Sequence, residues 1–272
     1  MAGKGGVGKT TVTAVLARAA IRRGLRVLVV ELDGKPTLEA LLPGVEVLHI
    51  SASAALGEYL DTHGLSRVAK RLATSGIIDV VATASPGIDD IVVLGKIKQL
   101  ERSDHYDLVL VDGPAAGHAI TFLLAAKGLL ATVRGGPIAQ QATEVAAMLA
   151  DPARCQVVLV TLPETTPVNE AVETAAALRE RIGLSLGPIV VNAVDEGTQL
   201  AAEAAPEGSA LRDAAEFRNA RRTMHAAERA RLAAELDLPQ RVLPLVPGSV
   251  LDATAVDRLA DDLAGNPVGG TR

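Results

Sequence analysis

The sequence predicts an α/β fold with a doubly wound, mostly parallel sheet and helices on both faces. Three observations predict it. A glycine-rich loop at residues 3–9 leads directly into a helical pattern, the apolar runs 26–32 and 106–111 are each followed by an aspartate, and the later half alternates apolar runs with amphipathic stretches. Nearly continuous apolar runs are typical of strands buried on both faces of a parallel sheet, and such strands require helices on both faces.

Composition limits the class of protein. The chain has 272 residues, 49% hydrophobic and 1% aromatic, so we expect a core of Ala, Val, Leu and Ile in one domain over 1–264, followed by a disordered tail at 265–272. The net charge of −5 gives no general attraction to nucleic acid. A single cysteine excludes an internal disulfide. Without a long apolar run or signal-peptide pattern, we expect a cytoplasmic protein with no stable membrane insertion.

The loop Gly3-Lys4-Gly5-Gly6-Val7-Gly8-Lys9-Thr10-Thr11 fits the phosphate-binding pattern G-x-x-x-x-G-K-[ST]. Glycines let the backbone turn its N–H groups inward, and the following helix adds unpaired N–H groups and the positive end of its dipole. Lys9 can reach the β- and γ-phosphates, and the Thr10 hydroxyl can ligate Mg²⁺. The predicted nucleotide-binding residues here are Gly3, Gly5, Gly6, Val7, Gly8, Lys9, Thr10 and Thr11.

The first helix is expected over 10–23, and the strand at 26–32 delivers Asp33 to the carboxyl edge, where open α/β sheets bind ligands. A carboxylate there could position the attacking water or support Mg²⁺. It could also simply begin a turn. Helical patterns at 54–61, 65–74 and 88–102 predict a helical insertion over about 44–105, joined by part of 119–150.

The strand at 106–111 ends in Asp112, and this pattern directs a carboxylate at the hydration shell of Mg²⁺. The segment after it contains Gly113, Gly117 and His118, which we interpret as a switch that opens or closes with nucleotide state. For His118 a conformational or packing role is favoured over that of a general base.

Later segments repeat the strand–helix alternation. Strands are expected at 156–162, 188–194 and 240–246, and helices at 167–182, 211–236 and 252–263, with a polar loop at 203–209. Asn192, near the end of the second of these strands, could contact the adenine edge. No N-K-x-D sequence follows, which favours ATP over GTP. The arginines of 211–236 are interpreted as a salt-bridged, solvated helix face.

With these motifs in hand, the chain resembles the arsenite-pump and tail-anchored-protein targeting ATPase family. The resemblance lies in GKGGVGKTT, RVLVVELD, ASPGIDDIVVLGKI (84–97), DGPAAGHAITFL (112–123), LVTLPETTPVNEA (159–171) and LPLVPGSV (243–250). It implies ATP and Mg²⁺ as cofactors, Asp33 orienting the hydrolytic water, and Asp112 supporting the metal through water. It also implies an adenine-side loop at Pro247, and Lys4 reaching across a dimer interface to the partner's nucleotide. The alternative for Lys4 is a solvated loop lysine.

The resemblance implies a Mg²⁺-dependent ATPase that forms a homodimer, or a heterodimer with a paralogue. Opening and closing of this dimer would act on a client protein or partner subunit. The alternative is a nucleotide-binding scaffold with little turnover that pairs with an active paralogue. Cys155 stands alone, so the family's zinc-binding C-x-x-C and metalloid-binding cysteines are absent. Gly113 and Ala116 replace threonine positions of the family's second switch.

The main departure from the family's pattern concerns the strand that should precede the loop. A loop of this type follows a strand, yet only Met1 and Ala2 precede Gly3. We expect a misassigned start or a truncation. Without this strand, the runs 26–32 and 106–111 would have unpaired ladder groups in the core, each costing about 1–3 kcal/mol.

Overall fold

The computed structural model describes residues 1–32, 37–62, 87–248 and 251–265. Its helices are α1 (Lys9–Arg22), α2 (Thr37–Leu41), α3 (Ala52–Thr62), α4 (Ile88–Glu101), α5 (Ala116–Thr132), α6 (Pro137–Ala150), α7 (Thr165–Ala177), α8 (Ala210–Glu235) and α9 (Ala253–Gly265). Its strands are β1 (Val27–Glu31), β2 (Glu46–His49), β3 (Leu108–Asp112), β4 (Val160–Thr161), β5 (Ile189–Val194) and β6 (Gln240–Pro244).

The strands form two parallel sheets, in the order β2-β1-β3 and β4-β5-β6. Met1 and Ala2 join the two sheets. The Met1 ammonium donates to the Val111 carbonyl at 2.5 Å, on the β3 side. Ala2 N–H donates to the Val158 carbonyl at 3.0 Å, and the Ala2 carbonyl accepts from Val160 N–H at 2.8 Å. The predicted parallel α/β architecture is therefore confirmed.

Apolar clusters on both faces of the sheets explain why β1 is buried along its whole length. Leu28 and Val30 point to one face, where they pack in a cluster with residues of α4 to α7. Val27 and Val29 point to the other face and pack with residues of α1, α2 and α9. This alternation is the period of two expected of a strand, and it places helices against both faces.

Three segments differ from their predictions. The strand predicted at 156–162 is reduced to the two residues of β4, Val160–Thr161. Strand β2 lies within the region predicted as a helical insertion. It is only four residues long and half exposed, so its local pattern is weak, and its pairing with β1 (Val30 with Leu48) stabilises it. The predicted helix at 167–182 occurs as α7 plus one π-helical turn over Leu178–Ile182, ending at Gly183 with φ 76°.

The other helices and strands predicted within the described residues are confirmed. Helices α3 and α4 match two predicted helices, whereas the predicted helix at 65–74 and residues 266–272 of the predicted tail lie outside the described residues. The loop predicted at 203–209 overlaps a short 3₁₀ turn at Ala202–Ala204. Within the described ranges, no helix combines the length and apolar character needed to cross a bilayer.

Three ion pairs connect helices and strands that are distant in the sequence. Arg26 binds Asp107 at the start of β3, Arg218 of α8 binds Asp195 after β5, and Lys98 of α4 binds Glu144 of α6. Hydrogen bonds from these cations lower the pKa of each of the three carboxyls to about 2. The pairing of Arg218 supports the prediction of a salt-bridged α8 face, as do the bonds of Arg231 to Glu228 and Glu235.

We predict that Glu144 stabilises the fold in a pH-dependent way. Its pKa is lowered from an ordinary value of 4.5 to about 2, so its stabilisation is full above about pH 5 and is lost as the pH falls through 2. The melting temperature of Glu144→Gln should therefore lie below the parent's at pH 6, and the difference should shrink toward pH 2. Circular dichroism between pH 2 and 6 measures it. A difference that stays constant with pH would contradict the assignment.

Candidate functional site

The glycine-rich loop lies between the bridging residue Ala2 and the start of α1. Gly8 is the N-cap of α1, with φ 88° in the left-handed region that favours glycine. Gly3 approaches the second sheet so closely that an added Cβ would lie 2.2 Å from the Val160 carbonyl oxygen. The loop backbone and the unpaired N–H groups at the start of α1 thus form a concavity suited to an anion.

Side chains around the loop divide into buried and accessible ones. Val7 is 1% exposed and packs in the core, so it can contact a ligand through its backbone only. Gly5 and Gly6 are exposed, and Thr11 lies in the first turn of α1. The Lys9 ammonium lies over the loop, 3.3 Å from the Gly3 carbonyl oxygen and 3.4 Å from that of Lys4.

Thr10 and Asp112 come together at the edge of β3. The Thr10 hydroxyl donates to Asp112 Oδ2 at 2.7 Å, and the carboxylate is only 7% exposed. Thr13 was missed by the sequence reasoning, although its position three residues after Thr10 puts it on the same helix face. Its hydroxyl lies 3.1 Å from Asp112 Oδ1 and 3.0 Å from the Lys9 carbonyl oxygen.

This donor set fits Mg²⁺. Hydroxyl and carboxylate oxygens are the hard ligands that Mg²⁺ accepts, usually one or two from the protein and the rest from water and phosphate. Among the described residues, no group of three or more His, Cys, Asp or Glu side chains could enclose a metal ion. Thr10 and the Asp112 carboxylate bonded to it could therefore form the protein side of a Mg²⁺ site, and the oxygens of a bound phosphate would provide further ligands.

Asp33 lies outside the described residues, so its role stays a prediction. Strand β1 ends at Glu31, which is in register with Asp112. Glu31 is a second buried acid at this edge, 3% exposed, and was missed by the sequence reasoning. Its Oε2 lies 3.1 Å from Nδ1 of His49, whose Nε2 lies 3.0 Å from Oε1 of Glu39.

Asn192 braces the loop from the second sheet. Its Nδ2 donates to the Val7 carbonyl at 2.9 Å. The next residue, Ala193, has φ 55° within a register shift between Val191 and Val194, an unusual conformation for a residue with a side chain. Contact of Asn192 with adenine stays a prediction. So does the role of Pro247, which is exposed two residues after the bond from Leu245 N–H to the Val194 carbonyl.

The segment after β3 is attached to the loop. Ala116 N–H donates to the Gly3 carbonyl at 2.9 Å, and an added Cβ on Gly113 would lie 2.6 Å from the Met1 carbonyl oxygen. Helix α5 begins at Ala116, so Gly117 and His118 lie exposed in its first turn, and the turn itself covers only 113–115. Their function as a switch stays a prediction.

Lys4 is paired within its own chain. Its Nζ lies 2.7 Å from Glu170 Oε1 of α7, and both side chains are 37% exposed. Within this chain Lys4 is therefore an ion-paired lysine, and its reach across a dimer interface stays a prediction. The pairing of Glu170 with Lys4 could not be predicted from local sequence patterns, because 166 residues separate the two.

We predict that Gly8 and Asn192 are energetically coupled. In Gly8→Ala the new Cβ would lie 2.2 Å from Asn192 Nδ2, breaking the bond to Val7 in addition to straining the left-handed backbone. The free energy of unfolding should fall by about 2–3 kcal/mol. Gly6→Ala is the matched control, because Gly6 has φ 85° but no atom within 4 Å of an added Cβ. It should cost only about 1–2 kcal/mol.

Urea unfolding of the two single variants, of Asn192→Ala and of Gly8→Ala/Asn192→Ala measures this coupling. The double variant should cost less than the sum of its two single changes. Equal costs for Gly6→Ala and Gly8→Ala, or strictly additive costs, would show that the loop does not depend on Asn192.

Comparison with known proteins adds independent findings. Residues 1–258 match the family model described as the CobQ/CobB/MinD/ParA nucleotide binding domain. The chain is 32% identical over 215 residues to ATPase BagA of Mycobacterium tuberculosis, covering 70% of this chain and 63% of that protein. It is 32% identical over 202 residues to the arsenical pump-driving ATPase of Escherichia coli and to that of Acidiphilium multivorum, covering 70% of this chain and 33% of each.

These matches confirm the resemblance predicted from the sequence motifs. The chain spans less than two thirds of the mycobacterial relative, and only a third of the arsenical pump-driving ATPases.

Proposed function

This chain belongs to the CobQ/CobB/MinD/ParA nucleotide-binding domain family, and we propose that it is a Mg²⁺-dependent ATPase. One observation carries the proposal. The Thr10 hydroxyl binds the buried Asp112 carboxylate at the point where the glycine-rich loop enters α1, with the Lys9 ammonium over the same loop. The names of the relatives, an ATPase and arsenical pump-driving ATPases, support the same activity.

Each residue of the site would have a separate role in ATP hydrolysis. Loop N–H groups, the start of α1 and the Lys9 ammonium would bind the β- and γ-phosphates. Thr10 would hold Mg²⁺ directly and Asp112 through water, and Mg²⁺ would supply positive charge to the phosphate oxygens. Asp33 would orient the water that attacks the γ-phosphorus. The bond from that phosphorus to the bridging oxygen breaks, giving ADP and phosphate, so catalysis needs positioning and charge stabilisation only.

The proposal extends to a nucleotide-dependent dimer, formed with a second copy or a paralogue, that acts on a client protein. Lys4 would bind the nucleotide of the partner subunit. To do so it must leave Glu170, and a pair this exposed contributes only about 0–1 kcal/mol. A phosphate group on the partner could therefore replace the carboxylate at small cost. Glu170 would act as the resting position of Lys4 in the single chain.

We predict that Lys9→Ala abolishes ATP binding, because Lys9 supplies the positive charge over the loop. Titration calorimetry with Mg-ATP and measurement of phosphate release check this. Lys127→Ala is the charge-matched control, since Lys127 is an exposed lysine of α5 bound to the Arg181 carbonyl. It should behave like the parent. Unchanged ATP affinity in Lys9→Ala would refute the phosphate site.

The same experiment separates the ATPase from its alternative. Gly113 and Ala116 bring no hydroxyl to the segment bound to the loop, which favours slow turnover. A parent protein that binds Mg-ATP but releases no phosphate would favour the nucleotide-binding scaffold. Phosphate release that disappears in Lys9→Ala would favour the ATPase.

We predict opposite effects of Lys4 and Glu170 on dimer formation. Lys4→Ala and Lys4→Arg should weaken ATP-dependent dimerisation, because the loop then lacks the compact ammonium that reaches the partner. Glu170→Gln should strengthen it by releasing Lys4. All three should keep monomer stability within about 0.5 kcal/mol of the parent, as expected at exposed sites.

Light scattering with ATP and with ADP measures this effect. A protein that stays monomeric with ATP would contradict the dimer. Dimerisation that is unaffected by loss of Lys4 would leave Lys4 a loop lysine paired with Glu170.

A further inference from the structure

Strand β5 carries one extra residue where it reaches the site. The three steps from Val191 to Val194 lie opposite only two steps of β6, over 242–244. Such a bulge redirects a side chain of the strand, and bulges are common next to active sites. Here the redirected region includes Asn192, whose Nδ2 donates to the Val7 carbonyl at 2.9 Å. The bulge therefore directs a side chain at the phosphate loop of residues 3–9.

The backbone of the bulge is strained. Ala193 has φ 55°, in the left-handed region that a residue with a side chain adopts only at a cost. Strain of this kind persists only where surrounding contacts hold the backbone in place. On the β6 side, Leu245 N–H donates to the Val194 carbonyl at 2.8 Å. The segment that leaves β5 must be held as well if Asn192 is to stay directed at the loop.

Two adjacent residues of α8, Arg218 and Asn219, hold that segment, and we call them the α8 bracket. Arg218 donates twice to Asp195, from Nε to Oδ2 at 2.7 Å and from Nη2 to Oδ1 at 2.8 Å. Asp195 Oδ1 also accepts from Gly197 N–H at 3.0 Å. The Asn219 side chain donates to the Leu200 carbonyl at 2.9 Å and accepts from Leu200 N–H at 3.0 Å. The bracket thus fixes both ends of the segment 195–200.

Gly197 and the low exposure of Asp195 make the contact with Arg218 close. An added Cβ on Gly197 would lie 2.3 Å from Arg218 Nη2 and 3.1 Å from Asp195 Oδ1, so a side chain there would displace the guanidinium. The Asp195 side chain is 12% exposed, so water competes little for it. The end of β5 is therefore held by a planar, two-pronged contact that a lysine could not reproduce.

Helix α8 is a firm support for the bracket. Its Glu228 accepts from the Thr165 hydroxyl at 2.9 Å, and its Arg231 donates to Asn169 Oδ1 at 2.8 Å. Both contacts lie near the start of α7, which packs against β4 of the same sheet. Leu232 of α8 is fully buried. The bracket therefore connects the end of β5 to an element that is fixed to the second sheet.

We propose that the α8 bracket holds the phosphate loop in position, acting through Asn192. Arg218 and Asn219 fix the end of β5, the bulge directs Asn192, and Asn192 binds the loop backbone at Val7. Both bracket residues act through another side chain, so they are positioning residues and not catalytic ones. The consequence for nucleotide affinity rests on the proposed function, in which this loop binds the phosphates of Mg-ATP.

Titration calorimetry with Mg-ATP and with Mg-tripolyphosphate, which has the phosphates but no base, tests the proposal. Arg218→Gln should weaken binding of both about fivefold, because the loop loses a hydrogen bond that orders it. Arg218→Lys keeps the charge without the fork and should give an intermediate loss. Arg212→Gln is the matched control, because Arg212 pairs with Glu216 within α8 at 3.1 Å. It should bind both compounds like the parent.

A double-variant cycle tests the route through Asn192. In the Asn192→Ala background, Arg218→Gln should no longer weaken binding, since the bond that it supports is already gone. An equal loss in both backgrounds, or a loss for Mg-ATP alone, would refute action through Asn192. Unchanged binding of both compounds by Arg218→Gln would refute the bracket as a positioning device.

Hydrogen exchange of the nucleotide-free protein distinguishes failure of this inference from failure of the proposed function. Amides of residues 7–12 should exchange about fivefold faster in Arg218→Gln than in Arg212→Gln, because the loop opens locally more often. Faster exchange in a protein whose parent does not bind Mg-ATP would support the bracket and refute the nucleotide site. Unchanged exchange would refute the bracket even where the parent binds Mg-ATP.

Discussion

The backbone hydrogen bonds of Met1 and Ala2 connect the two sheets, and the rest of the site depends on them. Ala2 is followed at once by the phosphate loop, and Val111, which binds Met1, is followed at once by Asp112. The pairing that joins the sheets therefore also sets the position of α1 relative to the end of β3. The 2.7 Å bond between Thr10 and Asp112 is a consequence of this alignment.

The charges of Lys9 and Asp112 are held by different partners in the site. The buried Asp112 accepts from the neutral hydroxyls of Thr10 and Thr13, whereas the Lys9 ammonium rests on carbonyl oxygens. A Lys9–Asp112 ion pair would have neutralised both groups. Kept apart, the carboxylate can support a cation while the ammonium attracts an anion, and a magnesium–nucleotide complex presents both charges.

The sequence predicted those elements whose residues carry a motif or a hydrophobic period of their own. The glycine-rich loop, the continuous apolar runs of β1 and β3, and the helices with clear periodicity were identified from the sequence. Strand β2 was missed because its four residues are stabilised by β1 and not by their own periodicity. Glu170 and the bond from Asn192 to Val7 could not be predicted, because they depend on contacts between residues more than 160 positions apart.

The carbonyl of Gly3 gives the phosphate loop a mechanical connection to the helical layer. It accepts from Ala116 N–H at 2.9 Å and lies 3.3 Å from the Lys9 ammonium. Helix α5 begins at that bond, is 17 residues or about 25 Å long, and packs against α4, α6 and α7. Because Ala116 is the first residue of α5, a shift of the loop would act on the first turn of this helix through that bond. The helix in turn contacts α4, α6 and α7, so this one bond connects the phosphate loop to the helices that cover one face of the sheets.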